Sequence, residues 1–225
     1  SDEVVINLAV GAANAVSVTA NPDGTITIIG GGGVNFTLSL DNVETLTITG
    51  KDGDDVITIG DLAGTDIAGA TVYANGGAGN DLITAVDLDR RLVADGGDGS
   101  DTIVGGHAND SLAGGPGDDV IKGNGGGDAA DGGAGTNDVF VLSGVSGGYG
   151  VTRAGAPGGS TMVDDLNPAD GDDGTDTLVG IEILRFGDGD IFIDGRNNAP
   201  DALNDTAATN EDTPVAGNVL SGANG

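Results

Sequence analysis

The chain has no cysteine and no tryptophan, and only seven of its 225 residues are basic. Without cysteine there are no disulfides, no thiolate zinc sites and no cysteine nucleophile. Seven scattered Lys and Arg against 36 acids leave a formal net charge of −29. That balance excludes a nucleic-acid surface and any attraction to an anionic membrane. No apolar run approaches the roughly 18 residues of a membrane-spanning helix. Proline is also scarce, at six residues, and glycine has no strict period of three, so the chain is not collagen-like. Leu, Glu and Lys, the residues that favour helices, are few.

Glycine and aspartate are abundant. There are 45 Gly, about three times the usual share of ~7%. Of the 36 acids only Glu3, Glu44, Glu182 and Glu211 are Glu, so the other 32 are Asp. Asp tolerates tight turns, and both Gly and Asp are poor helix formers. A charge of −29 opposes any compact state, so the chain either stays disordered or binds something positive. The hard cation that prefers many carboxylate and carbonyl oxygens is Ca²⁺.

Stepping by nine from Gly96 exposes a repeat. The blocks read GGDGSDTIV (96–104), GGHANDSLA (105–113), GGPGDDVIK (114–122), GNGGGDAAD (123–131) and GGAGTNDVF (132–140). GKDGDDVIT (50–58) and GGAGNDLIT (76–84) fit the same template, G-G-x-G-x-D-x-U-x, with U a large aliphatic. This pattern resembles the calcium-binding nonapeptide repeats of the RTX (repeats-in-toxin) family of secreted bacterial proteins. The resemblance implies an all-β fold, a right-handed parallel β-roll (a β-helix or solenoid). Two blocks make one turn in that family, so successive loops alternate between two edges.

In each block, positions 1–6 form a turn whose glycines accept conformations a Cβ forbids. Positions 7–9 form a short strand that sends position 8 inward. The inward residues are then Ile57, Ile83, Ile103, Leu112, Ile121 and Phe140, with Ala130 a thin spot. One block cannot bury its single aliphatic alone, but stacked blocks about 4.8 Å apart can. The position-6 aspartates are the candidate metal ligands: Asp55, Asp81, Asp101, Asp119 and Asp138 on one edge, Asp110 and Asp128 on the other.

The resemblance implies that each Ca²⁺ sits between loops n and n+2, held by both Asp carboxylates and by loop carbonyls. Those carbonyls belong to Gly53, Gly77, Gly79, Gly97, Gly99, Gly106, Ala108, Gly115, Gly117, Asn124, Gly126, Gly133 and Gly135. Asp101–Asp119 and Asp110–Asp128 are the expected best pairs, then Asp81–Asp101 and Asp119–Asp138, then Asp55–Asp81. About four to six ions follow. Ala108, Asn124 and Lys51 replace loop glycines, and Thr136 or Asn137 is an insertion before Asp138.

Four segments are expected. Residues 1–49 read as an N-terminal β-helical extension with strands at Val4–Leu8, Val16–Thr19, Thr25–Ile29, Phe36–Leu40 and Thr45–Thr49. Residues 50–141 are the β-roll. Residues 142–195 read as a C-terminal β cap with strands at Tyr149–Arg153, Ser160–Val163, Glu182–Phe186 and Asp190–Asp194. There the acids Asp170, Asp172, Asp173 and Asp176 could bind another ion, with a solvated loop the favoured reading. Residues 196–225 read as a linker followed by Asn210–Leu220, which resembles the start of a cadherin-like or Ig-like module of large bacterial surface proteins. A module cut in mid-course and the lack of an initiator Met read as a piece of a longer protein.

No catalytic residue is expected, and the chain is not read as an enzyme. His107 is the sole His, at an outward loop position, without partners for catalysis or zinc. Pairs such as Asp54–Asp55 and Asp118–Asp119 fall on repeat positions 5 and 6, which explains them without glycosidase chemistry. Outward loop positions vary too much for an ice-binding array. The reading is a secreted, extracellular calcium-binding domain that passes the type I secretion machinery and folds on Ca²⁺ outside. It neither binds nucleic acid nor inserts in a membrane. One alternative is a calcium-stiffened spacer of a cell-surface adhesin that contacts a surface or matrix. Another is an accessory domain of a secreted protease, lipase, epimerase or haem peroxidase.

Overall fold

A computed structural model describes residues 2–7, 13–30, 34–39, 43–65, 71–154, 159–169 and 171–194. The expected linker and module start at 196–225 lie outside the described residues, as does Asp170. The described chain is all-β, with parallel strands in two mixed sheets.

The N-terminal strands are β1 (Asp2–Asn7), β2 (Ala15–Ala20), β3 (Thr25–Gly30) and β4 (Val34–Ser39). The repeat region supplies β5 (Val43–Asp52), β6 (Val56–Ile59), β7 (Thr71–Ala78), β8 (Leu82–Ala85) and β9 (Leu92–Asp98). It continues with β10 (Thr102–Val104), β11 (Ser111–Pro116), β12 (Val120–Lys122), β13 (Ala129–Ala134) and β14 (Val139–Val141). Last come β15 (Tyr149–Arg153), β16 (Thr161–Asp165), β17 (Thr175–Val179), β18 (Ile183–Phe186) and β19 (Gly189–Phe192).

From β5 to β14 the chain alternates between the sheets. Odd-numbered strands enter a nine-stranded sheet and even-numbered strands a ten-stranded one. Each strand pairs in parallel with the strand two ahead of it. The register puts equivalent repeat positions side by side. Ile48, Ala74, Ala94, Leu112, Ala130 and Leu178 form one inward file. Ile57, Ile83, Ile103, Ile121, Phe140 and Leu184 form the other. All of them are buried in one apolar cluster. Every large apolar residue that the repeat template sends inward is therefore in the core, because these short strands alternate faces with a period of two.

The N-terminal segment is only partly helix-like in its winding. β1 pairs in parallel with β5, and β2 with β6. β3 and β4 are antiparallel to their neighbours at the edge of the ten-stranded sheet. The reason is the connection: a short turn through Gly24, at φ 84°, joins β2 to β3, and so short a link permits only antiparallel pairing.

Parallel pairing also runs past residue 141. β17 pairs with β13 and β18 with β14, so Thr175–Phe186 adds one more layer to the stack. β15, β16 and β19 pair antiparallel and end it. The expected strands of the C-terminal segment are present within a few residues, but β17 is an addition to that reading.

Candidate metal centre

The loops that cross from the nine-stranded to the ten-stranded sheet define a first edge, and those that cross back define a second. Their shape depends on backbone that only small residues adopt easily. At repeat position 2 the φ angles are 117° for Gly77, 106° for Gly97, 109° for Gly115 and 93° for Gly133. Lys51 at 91° and Asn124 at 63° take the same left-handed region in their loops. Space excludes a side chain as well. A Cβ on Gly97 would collide with the carbonyl oxygen of Gly77, and one on Gly99 with that of Gly79. Carbonyls at positions 2 and 4 of one loop thus press on the next loop of the same edge.

Position 6 carries the carboxylates, and each reaches back one layer. Main-chain N–H groups donate to Oδ1 as follows: Asp55 to Asp81 at 2.6 Å, Asp81 to Asp101 at 2.7 Å, Asp101 to Asp119 at 2.7 Å and Asp119 to Asp138 at 2.8 Å. On the second edge the N–H of Asp110 donates to Oδ1 of Asp128 at 2.7 Å. The structure thus places the seven aspartates in two files, five on one edge and two on the other. All seven are buried.

The second carboxylate oxygen is the exceptional one. Oδ2 of Asp55, Asp81, Asp101, Asp119, Asp128 and Asp138 is buried without any hydrogen-bond partner. Beside Oδ2 of Asp101 the carbonyl oxygen of Gly114, from the next layer, approaches the same Gly96 cradle. The same pairing of a carboxylate and a carbonyl recurs at Gly50, Gly76 and Gly114. Oxygens therefore converge there with no donor between them.

Electrostatics agree with that arrangement. Burial pushes the carboxyls of Asp81 and Asp119 up to about 6 and that of Asp128 up to about 7. Neighbouring carboxylates act in the same direction, and the accepted N–H bond acts against it. Asp101 and Asp138 are raised for the same first cause, burial. Carboxylates in such surroundings favour a proton, or another cation in its place.

Asp110 differs from the other six. Its Oδ1 accepts from Leu92 N–H at 2.8 Å and its Oδ2 from Gly106 N–H at 2.8 Å. Burial raises its carboxyl, and Arg91 is a positive charge that partly offsets the rise. The 105–110 loop does not take the left-handed backbone at Gly106 or Ala108, which is why Ala108 fits. Among the expected pairs, Asp101–Asp119 has both Oδ2 atoms unpartnered, whereas Asp110–Asp128 has one.

Further residues complete the files. At one end of the first edge, Asn14 donates its main-chain and side-chain N–H groups to Asp55 Oδ1 at 2.7 and 3.0 Å. At the other, Glu182 Oε2 accepts from Asp138 N–H at 2.9 Å. On the second edge, Asp176 Oδ1 accepts from Asp128 N–H at 2.8 Å. Asp173 and Asp176 are buried, which corrects the expectation of a solvated loop; Asp172 is exposed. A signal for Asp176 stands in the sequence: Gly171–Val179 reads GDDGTDTLV, the repeat template with Asp172 in place of the second glycine.

Position 5, expected to face outward, makes a ladder of its own. Asp54 accepts from Asn80 N–H, Asn80 from Ser100 N–H, and Asn109 from Gly127 N–H. Asp118 holds the inserted residues, since its Oδ1 accepts from Thr136 N–H at 3.0 Å and Asn137 N–H at 3.2 Å. His107 is exposed, and its Nδ1 lies 3.0 Å from Asp89 Oδ1 at the surface.

Among the described residues, no three His, Cys, Asp or Glu side chains gather as a metal-binding group. The position-6 acids come two per inter-loop gap, and loop carbonyl oxygens lie beside them. Among the described residues, no helix is long and apolar enough to cross a membrane. No family model matches the chain, and no curated protein or solved structure matches it either.

Proposed function

We propose that the chain is a calcium-binding right-handed parallel β-roll of the RTX type. It is secreted by a type I system and folds on Ca²⁺ outside the bacterium. One observation carries the reading: six buried carboxylate oxygens, five in register along the first loop edge and one on the second, have no donor. The donor set suits Ca²⁺, which takes six to eight hard oxygens from carboxylates and backbone carbonyls. Asp55, Asp81, Asp101, Asp119 and Asp138 would hold ions on the first edge, with Asp110 and Asp128 on the second. Carbonyls at positions 2 and 4 of the loops complete each site.

Bound calcium would supply positive charge where like charges face one another. The aspartates hold the two loops of each gap in register through the N–H bonds above. Without the ion, stacked carboxylates repel, and a core of one aliphatic per strand does not offset the chain entropy. Binding energy is then folding energy. A chain that stays unfolded at low cytosolic calcium suits export, and one without cysteine needs no disulfide to hold it afterwards. The role is structural and non-enzymatic.

The test is calcium calorimetry joined to far-UV circular dichroism. Millimolar Ca²⁺ should convert coil to β with several ions bound, and Mg²⁺ should do little. A full β signal in EDTA, with no heat on adding calcium, overturns the reading.

A further inference from the structure

We infer that the second edge carries one more calcium site, assembled from two distant parts of the chain, Asp128 and Asp176. The inference rests on the calcium reading above. The two aspartates are 48 residues apart, yet the N–H of Asp128 donates to Asp176 Oδ1 at 2.8 Å. That is the contact that joins consecutive loops elsewhere. Asp176 is 1% exposed and Asp128 is 2% exposed. Asp128 Oδ2 is among the buried oxygens without a partner.

The loops around the pair stack as the other loops do. Gly174 takes φ 76°, and a Cβ on it would collide with the carbonyl oxygen of Gly126. Two residues after Asp176, Leu178 enters the inward file beside Ala130. Register therefore continues on both sides of the carboxylate.

Asp173 is the positioning residue that makes this possible. It is 3% exposed, and hydrogen bonds occupy both its oxygens. Oδ2 accepts from Ser143 N–H at 2.6 Å and from the Tyr149 hydroxyl at 2.5 Å, while Oδ1 accepts from the Ser143 hydroxyl at 2.8 Å. Its own N–H donates to Asp165 Oδ2 at 3.1 Å. The start of the excursion, at Ser143 and Tyr149, is thereby tied to its end, three residues before Asp176. A calcium ion between Asp128 and Asp176 makes ion binding and docking of β15, β16 and β17 one event.

The test uses the full chain, with Ca²⁺ as the probe. Calorimetry counts the ions, and hydrogen exchange reads the docking of β15, β16 and β17 in saturating calcium. Asp176→Asn keeps the shape and an acceptor oxygen. It should bind one ion fewer, and the amides of β15, β16 and β17 should exchange at least about 10-fold faster. Asp61→Asn, at an exposed turn where the carboxylate accepts from Ala63 N–H, should leave that exchange and the ion count unchanged. Tyr149→Phe should keep the ion count but weaken one site by about 10-fold, because Asp173 loses one of the bonds that place it. An Asp176→Asn chain with the full ion count overturns the inference and leaves the calcium reading standing. A lost ion with unchanged exchange overturns the coupling to docking. A wild-type chain that binds no calcium removes the reading and this site together.

Discussion

The main-chain N–H of Asp101 donates to Oδ1 of Asp119 at 2.7 Å, while Oδ2 of each residue stays buried without a partner. One carboxylate thus does two things: Oδ1 sets the register between layers, and Oδ2 is left for something else. Because the relationship repeats up the edge, Asp119 borders two inter-loop gaps, toward Asp101 and toward Asp138. Asp119→Ala is therefore expected to lose more than one calcium ion, read by calorimetric stoichiometry. Loss of one ion or none contradicts sharing between layers.

Protons and calcium should compete. The raised carboxyls of Asp81, Asp119 and Asp128, at about 6 to 7, and of Asp176, at about 8, exceed the unfolded value of about 3.9. Between about pH 4 and 8 the metal-free fold then holds more protons than the unfolded chain, so its stability falls as pH rises. In EDTA the chain is mostly coil, and what β signal it keeps, read by far-UV circular dichroism, should be greater at the acid end of that window. Calcium affinity should move the opposite way and rise with pH, because a protonated carboxyl must lose its proton to hold the ion. A β signal in EDTA that grows toward pH 8 contradicts this.

Core and loop substitutions separate two kinds of cost. Ile103 is fully buried between Ile83 and Ile121 in its file. Ile103→Ala should cost about 2–5 kcal/mol in calcium-loaded protein, measured by denaturant unfolding.

Gly97→Ala and Gly64→Ala form a matched pair. Both glycines have positive φ, 106° and 76°, but only Gly97 has a neighbouring carbonyl, that of Gly77, in the way of a Cβ. Gly64→Ala should cost only the backbone strain, roughly 1–2 kcal/mol. Gly97→Ala should cost clearly more and should weaken calcium binding as well. Equal costs for the two would show that the loops have room to separate.

His107→Ala should leave calcium affinity and folding unchanged. Its contact with Asp89 joins two exposed side chains, and such surface contacts contribute little. A large defect in calorimetry would show that the loop depends on the ring.

Much of this fold was legible because the repeat is local. Position 8 of every block reaches the core, and position 6 of every block is buried, as at Ile103 and Asp101. The exceptions have specific causes. Asp176, read only as part of an acidic loop, escaped the repeat because residues 142–170 break the period before its block resumes at Gly171, and a search by constant step misses a block displaced by an insertion. Glu182 was hidden because its shortened loop uses a longer side chain to reach the N–H of Asp138. The antiparallel placing of β3 and β4 was hidden because alternating strands read alike in either direction until the turn between them is seen.

By itself the sequence determined the layer: a glycine turn, an aspartate and one inward aliphatic, repeated at nine residues. Those are short-range properties, set by which φ angles a residue accepts and which way alternate side chains point. Tertiary structure decided how the layers close. It set which N–H each carboxylate takes, left Oδ2 of six aspartates bare while Asp110 spends both oxygens, and brought Asp176 to Asp128 across 48 residues. Those outcomes depend on contacts between segments far apart in the chain, where the energy of stacking outweighs any local preference.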